Sequence, residues 1–134
     1  MAGLVKQTPN SIGYVELIYA KQNKLSYGVV QNAAGSYIEP SLDSVSAAAK
    51  TKMPSDFRVS ITNSTNADAY PISGFTWLLV YGKQTDAQKG KALVDFLSWM
   101  LADGQKFAPD LGYAPLPSEV NLMVQKTITK IKVK

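Results

Sequence analysis

Residues 75–81 read Phe75-Thr76-Trp77-Leu78-Leu79-Val80-Tyr81. The run is apolar almost throughout and is far too short to cross a bilayer, which takes roughly 20 residues. Such a run fits a strand covered on both faces, the kind found inside α/β sheets. Downstream the period changes. Ala92, Leu93, Phe96, Leu97, Met100 and Leu101 recur at i, i+3 and i+4, the apolar stripe of an amphipathic helix. Thr85 is placed to cap that helix, and Gly104 to take the left-handed position after its end.

Working outward, Gln105 to Leu111 predicts a short helix, and the prolines of Tyr113-Ala114-Pro115-Leu116-Pro117 hold that stretch extended. Ser118 is read as the cap of a last helix with Val120, Met123, Val124 and Ile128 on one face, and Glu119 suits its N-terminal dipole. Upstream, Val59-Ser60-Ile61-Thr62 alternates like a half-buried strand. Ser41 caps a helix bearing Leu42, Val45, Ala48 and Ala49, ended by Met53-Pro54-Ser55-Asp56. Gly28 to Gln31 and Ile12 to Val15 read as short strands, with helical character from Glu16 to Asn23 between them. The polar loop Asn63-Ser64-Thr65-Asn66-Ala67-Asp68 is the best candidate boundary. Strands alternating with helices give an α/β fold class.

The composition excludes several chemistries. The 134 residues contain no Cys and no His, which removes disulfides, Cys–His zinc sites, thiol catalysis and a Ser–His–Asp triad. Thirteen of the fourteen basic residues are Lys, spread along the chain, and Arg58 is the single Arg. The net charge of +4 is therefore read as a solvated surface with a Lys-rich tail, not a nucleic-acid site. No phosphate loop or nucleophile elbow occurs. The Asp residues show no acid–base spacing, so no catalytic residue, metal ligand or cofactor is expected. Tyr70, Phe75, Trp77 and Tyr81 read as packing, not as a stacking platform. Met1 to Val5 lacks the features of a signal peptide, so the chain is expected to be cytosolic or a piece of something longer.

Three stretches together resemble one family, the periplasmic phosphate-binding proteins of the phosphate ABC transporter. They are AGLVKQTPNSIGYVELIYAKQN (2–23), DAYPISGFTWLLVY (68–81) and ALVDFLSWMLADGQKFAPDLGYAPLP (92–117). The words from Thr8 to Glu16 and from Leu111 to Pro117 are the most specific. The segments 28–49 and 56–63 follow the family's order.

The resemblance implies the C-terminal part of a two-lobed, type II-like α/β binding protein with both lobes incomplete. Residues 1–66 would end the second lobe and 67–134 would return to the first, with a hinge near 67–73 at Tyr70, Pro71 and Ile72. It implies a solute receptor, not an enzyme, whose complete form binds inorganic phosphate, meets the transporter's membrane subunits and works in the periplasm or cell envelope. The family's phosphate ligands come from an early carboxylate-bearing part of the first lobe and from a Gly-Ser-Gly-Thr loop with a nearby Arg. The chain has no Gly-Ser-Gly, and Arg58 stands in another context. Both ligand regions would lie upstream of Met1, and no direct phosphate ligand carries over. Ser73 and Thr76 are the polar groups nominated for the cleft edge. The expected partner is the missing N-terminal segment or a second copy. The alternative function is a structural one, a strand-exchanged dimer or filament built from such a receptor part.

Overall fold

A computed structural model describes all residues from Met1 to Lys134. It contains five α-helices: α1 (Ala2–Gln7), α2 (Leu17–Gln22), α3 (Leu42–Ala48), α4 (Ala87–Leu101) and α5 (Ser118–Ile128). Four two-residue strands accompany them: β1 (Val30–Gln31), β2 (Tyr37–Ile38), β3 (Lys83–Gln84) and β4 (Lys132–Val133). β1 and β2 form an antiparallel hairpin with Val30 opposite Ile38. β3 and β4 pair in parallel, Lys83 opposite Lys132, across the crossover that α4 and α5 supply. The result is a mixed helix and small-sheet architecture. No helix is long and apolar enough to cross a membrane.

Two separate apolar centres form. Ala47, Ala48, Ala49, Ile61 and Ala69 make the first, with Phe75 packed against it. Small alanines on α3 let the following loops approach closely. The second joins Leu97 and Leu101 of α4 to Ile128 of α5, with Val80, Leu93, Val124 and Ile131 around them. The amphipathic stripe read from Ala92 to Leu101 thus finds its partner in α5. The first centre reaches past residue 66, because Ala69 and Phe75 belong to it.

Local signals set most helix starts. Ser41 caps α3 as expected: its Oγ accepts from Ser44 N, while the Ser44 side chain accepts from Ser41 N. For α4 the cap is Asp86, one residue after the predicted Thr85, and its carboxylate accepts from Lys89 N at 3.0 Å. A shared carboxylate outcompetes the neighbouring hydroxyl here. Ser118 is the first residue of α5, and Pro117 is its cap residue, without a side-chain bond. Gly104 does not take the left-handed position. The chain passes instead through Ala102 into a 3-10 helix, Asp103–Phe107, within the predicted short helical region. A Cβ at Gly104 would lie 3.2 Å from Trp99 O, so the glycine serves close packing.

Three expected strands do not form: Ile12 to Val15, Val59 to Thr62 and Phe75 to Tyr81. The last matters most. It runs extended, and none of its backbone groups makes a backbone hydrogen bond. Leu79 is 97% exposed and Tyr81 85%. The periodicity was strand-like, but a strand needs neighbours, and no segment of this chain supplies them. The helix α1 was not anticipated. Its Val5 lies 2.6 Å from where a Gly13 Cβ would stand, so α1 folds back onto the Ile12 to Val15 stretch.

Candidate functional site

The crossing segment between the two apolar centres is held by buried polar side chains. Asn32, 6% exposed, follows β1. Its amide nitrogen donates to the carbonyls of Ala67 at 2.9 Å and Ala69 at 3.1 Å, with a longer bond to Asn66. Its Oδ1 accepts from Ala34 N and Ser36 N, both at 3.1 Å. One side chain therefore closes the β1–β2 turn and ties it to the crossing. Asn66 Nδ2 donates to Ala47 O at the end of α3, and Tyr70 N donates to Ser44 O. Sequence reading missed this network. The only available signal was an Asn heading the turn Ala33-Ala34-Gly35, a residue type that bonds its own turn backbone.

The nominated residues follow directly. Tyr70 is half-buried, and burial pushes its phenol up from the ordinary tyrosine range. Pro71 is buried, and its carbonyl accepts from Asn63 N at 2.8 Å; Ile72 is exposed. Ser73 is 7% exposed, with its hydroxyl donating to Tyr70 O at 2.7 Å. The Ser73 carbonyl accepts from Thr62 Oγ1 at 3.2 Å. Thr76 is exposed, three residues further along the extended run. Trp77 donates from Nε1 to Phe57 O at 3.1 Å and packs edge-on against Phe75. Tyr70, Pro71 and Ser73 are thus brought together against residues 44–63, while Thr76 stands apart from them.

The N-termini of the three longest helices are not open to a dianion. The α4 N-terminus carries the Asp86 carboxylate, α3 has Asp43 and a closed capping box, and α5 has Glu119 in its first turn. Each places negative charge or its own cap where an anion would sit. Arg58 is exposed beside Asp56, 3.9 Å away. A shallow hollow of about 430 Å³ lies between the end of α4 and α5. Its polar side chains face the protein: Asn121 Nδ2 donates to Leu101 O, and Gln105 braces Met100 O and Leu116 N.

The two most specific sequence words meet in space. The Tyr113 hydroxyl donates to Glu16 Oε2 at 3.3 Å across 97 residues of chain. The charge of Glu16, and then the hydrogen bond to it, hold the Tyr113 phenol above its ordinary range, with small additions from burial and Tyr19. Gly112, at φ 79°, sits against Ile18, where a Cβ would come within 2.9 Å.

No family model matches the chain. Individual proteins do. It is 45% identical over 120 residues to phosphate-binding protein PstS of Xylella fastidiosa, covering 87% of this chain and 33% of that protein. It is 35% identical over 128 residues to phosphate-binding protein PstS of Pasteurella multocida, covering 93% and 37%. A third, phosphate-binding protein PstS of Methanocaldococcus jannaschii, is 34% identical over 153 residues, covering 98% and 38%. Over most of its own length, this chain is therefore homologous to a little more than one third of the proteins named phosphate-binding protein PstS.

Proposed function

We propose that this chain is the C-terminal scaffold of a phosphate receptor for ABC-type uptake, and that it binds phosphate only when the upstream two thirds of such a receptor are present. The observation that carries this reading is the match over nearly the whole chain to proteins named for phosphate binding, of which it spans only a third. The acidic residues at the cap or in the first turn of α3, α4 and α5 and the exposed Arg58 agree with ligands supplied from elsewhere.

In this reading residues 1–66 belong to one lobe and 67–134 return to the other. The crossing at Tyr70, Pro71 and Ile72 is the hinge. Its ties to Ser44, Asn63 and Thr62 support a crossing anchored as far as Ser73. Gly74, exposed and without a backbone partner, is its free end. Ser73 and Thr76 stand at the cleft edge. The role is binding, not catalysis, in the periplasm or cell envelope, with inorganic phosphate and the transporter's membrane subunits as partners of the complete receptor.

Calorimetric titration with inorganic phosphate tests this on the chain alone and on the chain mixed with the upstream part of a PstS relative. Heat of binding is expected only from the mixture. Saturable binding by the chain alone would place the ligands inside these residues and overturn the reading.

A further inference from the structure

Residues 1–66 and 67–134 are joined in two places. The first is the crossing itself, where Asn32, Ser44, Phe57, Thr62 and Asn63 bond to groups between Ala67 and Trp77. Beyond Trp77, a single hydrogen bond returns to residues 1–66. It runs from the Tyr113 hydroxyl to Glu16 Oε2.

Both sides of this second joint are built locally. The chain reaches Tyr113 through a closed turn, in which Tyr113 N donates to Ala108 O and Gly112 N to Pro109 O, both at 2.9 Å. Gly112 stands at φ 79°. This is the helix-ending motif whose left-handed residue is usually glycine. The neighbouring half makes the same demand, because a Cβ on Gly112 would come within 2.9 Å of Ile18 Cβ. Gln105 fastens the chain after Tyr113: its Oε1 accepts from Leu116 N, and its Nε2 donates to Met100 O at the end of α4. Leu116 packs against the α4–α5 centre. On the other side, Glu16 is the N-cap residue of α2, where a side chain would ordinarily bond the first turn. Its carboxylate makes no cap bond and is engaged by Tyr113 instead.

Two attachments constrain more than one. A body held at one point can turn about it in any direction; held at two, it turns only about the line through both. The crossing lies against the first apolar centre through Ala69 and Phe75, whereas Tyr113 is mounted beside the second. A hinge that closes on a ligand needs such a line, so that each closure brings the same groups together.

We infer that Glu16 and Tyr113, seated by Gly112 against Ile18, form a second pivot between the two halves of this chain, the crossing at Tyr70 to Ile72 being the first. They are positioning residues: they set the direction in which the halves turn. Calling the halves lobes rests on the receptor reading proposed above, whereas the pivot is tested without phosphate.

The chain has no cysteine, so pairs of spin labels can be placed on introduced thiols. Lys21→Cys with Gln88→Cys spans the joint, and Gln88→Cys with Glu119→Cys stays within the α4–α5 half; all three positions are exposed. Pulsed electron resonance on the full chain is expected to give one narrow distance for each pair. Tyr113→Phe removes only the hydroxyl. It is expected to raise the share of longer distances across the joint about fivefold, the effect of losing one hydrogen bond, and to leave the pair within the half unchanged. Glu16→Gln keeps an acceptor and is expected to hold the narrow distance. A broad distribution across the joint in the unmodified chain, or one that Tyr113→Phe leaves narrow, would overturn the inference. Broadening of both pairs together would mean general loosening and would overturn it too. If the pivot behaves as expected while the mixture with the upstream part binds no phosphate, the receptor reading falls and the pivot stands.

Discussion

Asn32 shows how much one polar side chain can organise here. It makes five hydrogen bonds from a buried position, and each partner is a backbone group of the β1–β2 turn or of the crossing at 66–69. Truncation would strand several of these groups away from water, which costs more than the loss of an average hydrogen bond. Asn32→Ala is expected to lower stability by about 2–3 kcal/mol, measured by urea unfolding. A loss under about 0.5 kcal/mol, the scale of an ordinary surface change, would mean the crossing is held by other contacts. This residue was legible in sequence only as part of a turn. Its three partners in the crossing lie more than 30 residues away, and no local pattern encodes such a pairing. The same holds for Tyr113 and Glu16. The words that contain them stood out, but their contact is a product of the fold.

At the scale of elements, legibility followed how self-sufficient each element is. Helices α3, α4 and α5 were readable because their apolar stripes and facing residues lie within this chain, although only the α3 cap falls on the expected residue. Phe75 to Tyr81 was read as a strand from its composition and is found extended but unpaired. Its composition is that of a buried strand, and no segment of residues 1–134 pairs with it. The small β3–β4 pair survives because α4 supports it. Gly90 of α4 is buried beneath both strands, and a Cβ there would meet Gln84 Cβ at 2.8 Å and Val133 Cγ1 at 3.0 Å. Gly90→Val should push β3 and β4 away from α4 and cost roughly 1–3 kcal/mol through overpacking. The check is thermal unfolding together with amide exchange at Lys132 and Lys134, whose N–H groups donate to Gly82 O and Gln84 O. Unchanged stability and unchanged protection would show that the pair does not depend on this helix.

At the scale of the molecule, the two apolar centres are small, and only 16 of 134 residues are buried. The chain between the centres, Leu78 and Leu79, is largely exposed. Such a structure has the local order of an α/β protein without the sheet that would unite it. That single circumstance connects the large exposed surface, the unpaired run and the match to only a third of the PstS relatives.

The most direct test is hydrogen exchange by mass spectrometry over Gly74 to Val80, at a concentration low enough for the chain to be monomeric. These amides are predicted to exchange as freely as an unstructured peptide in the chain alone. They should slow by roughly 100-fold or more once the upstream part of a receptor is added and a sheet forms around them. Strong protection in the isolated monomer would mean that this run already has its strand partners, contradicting the account.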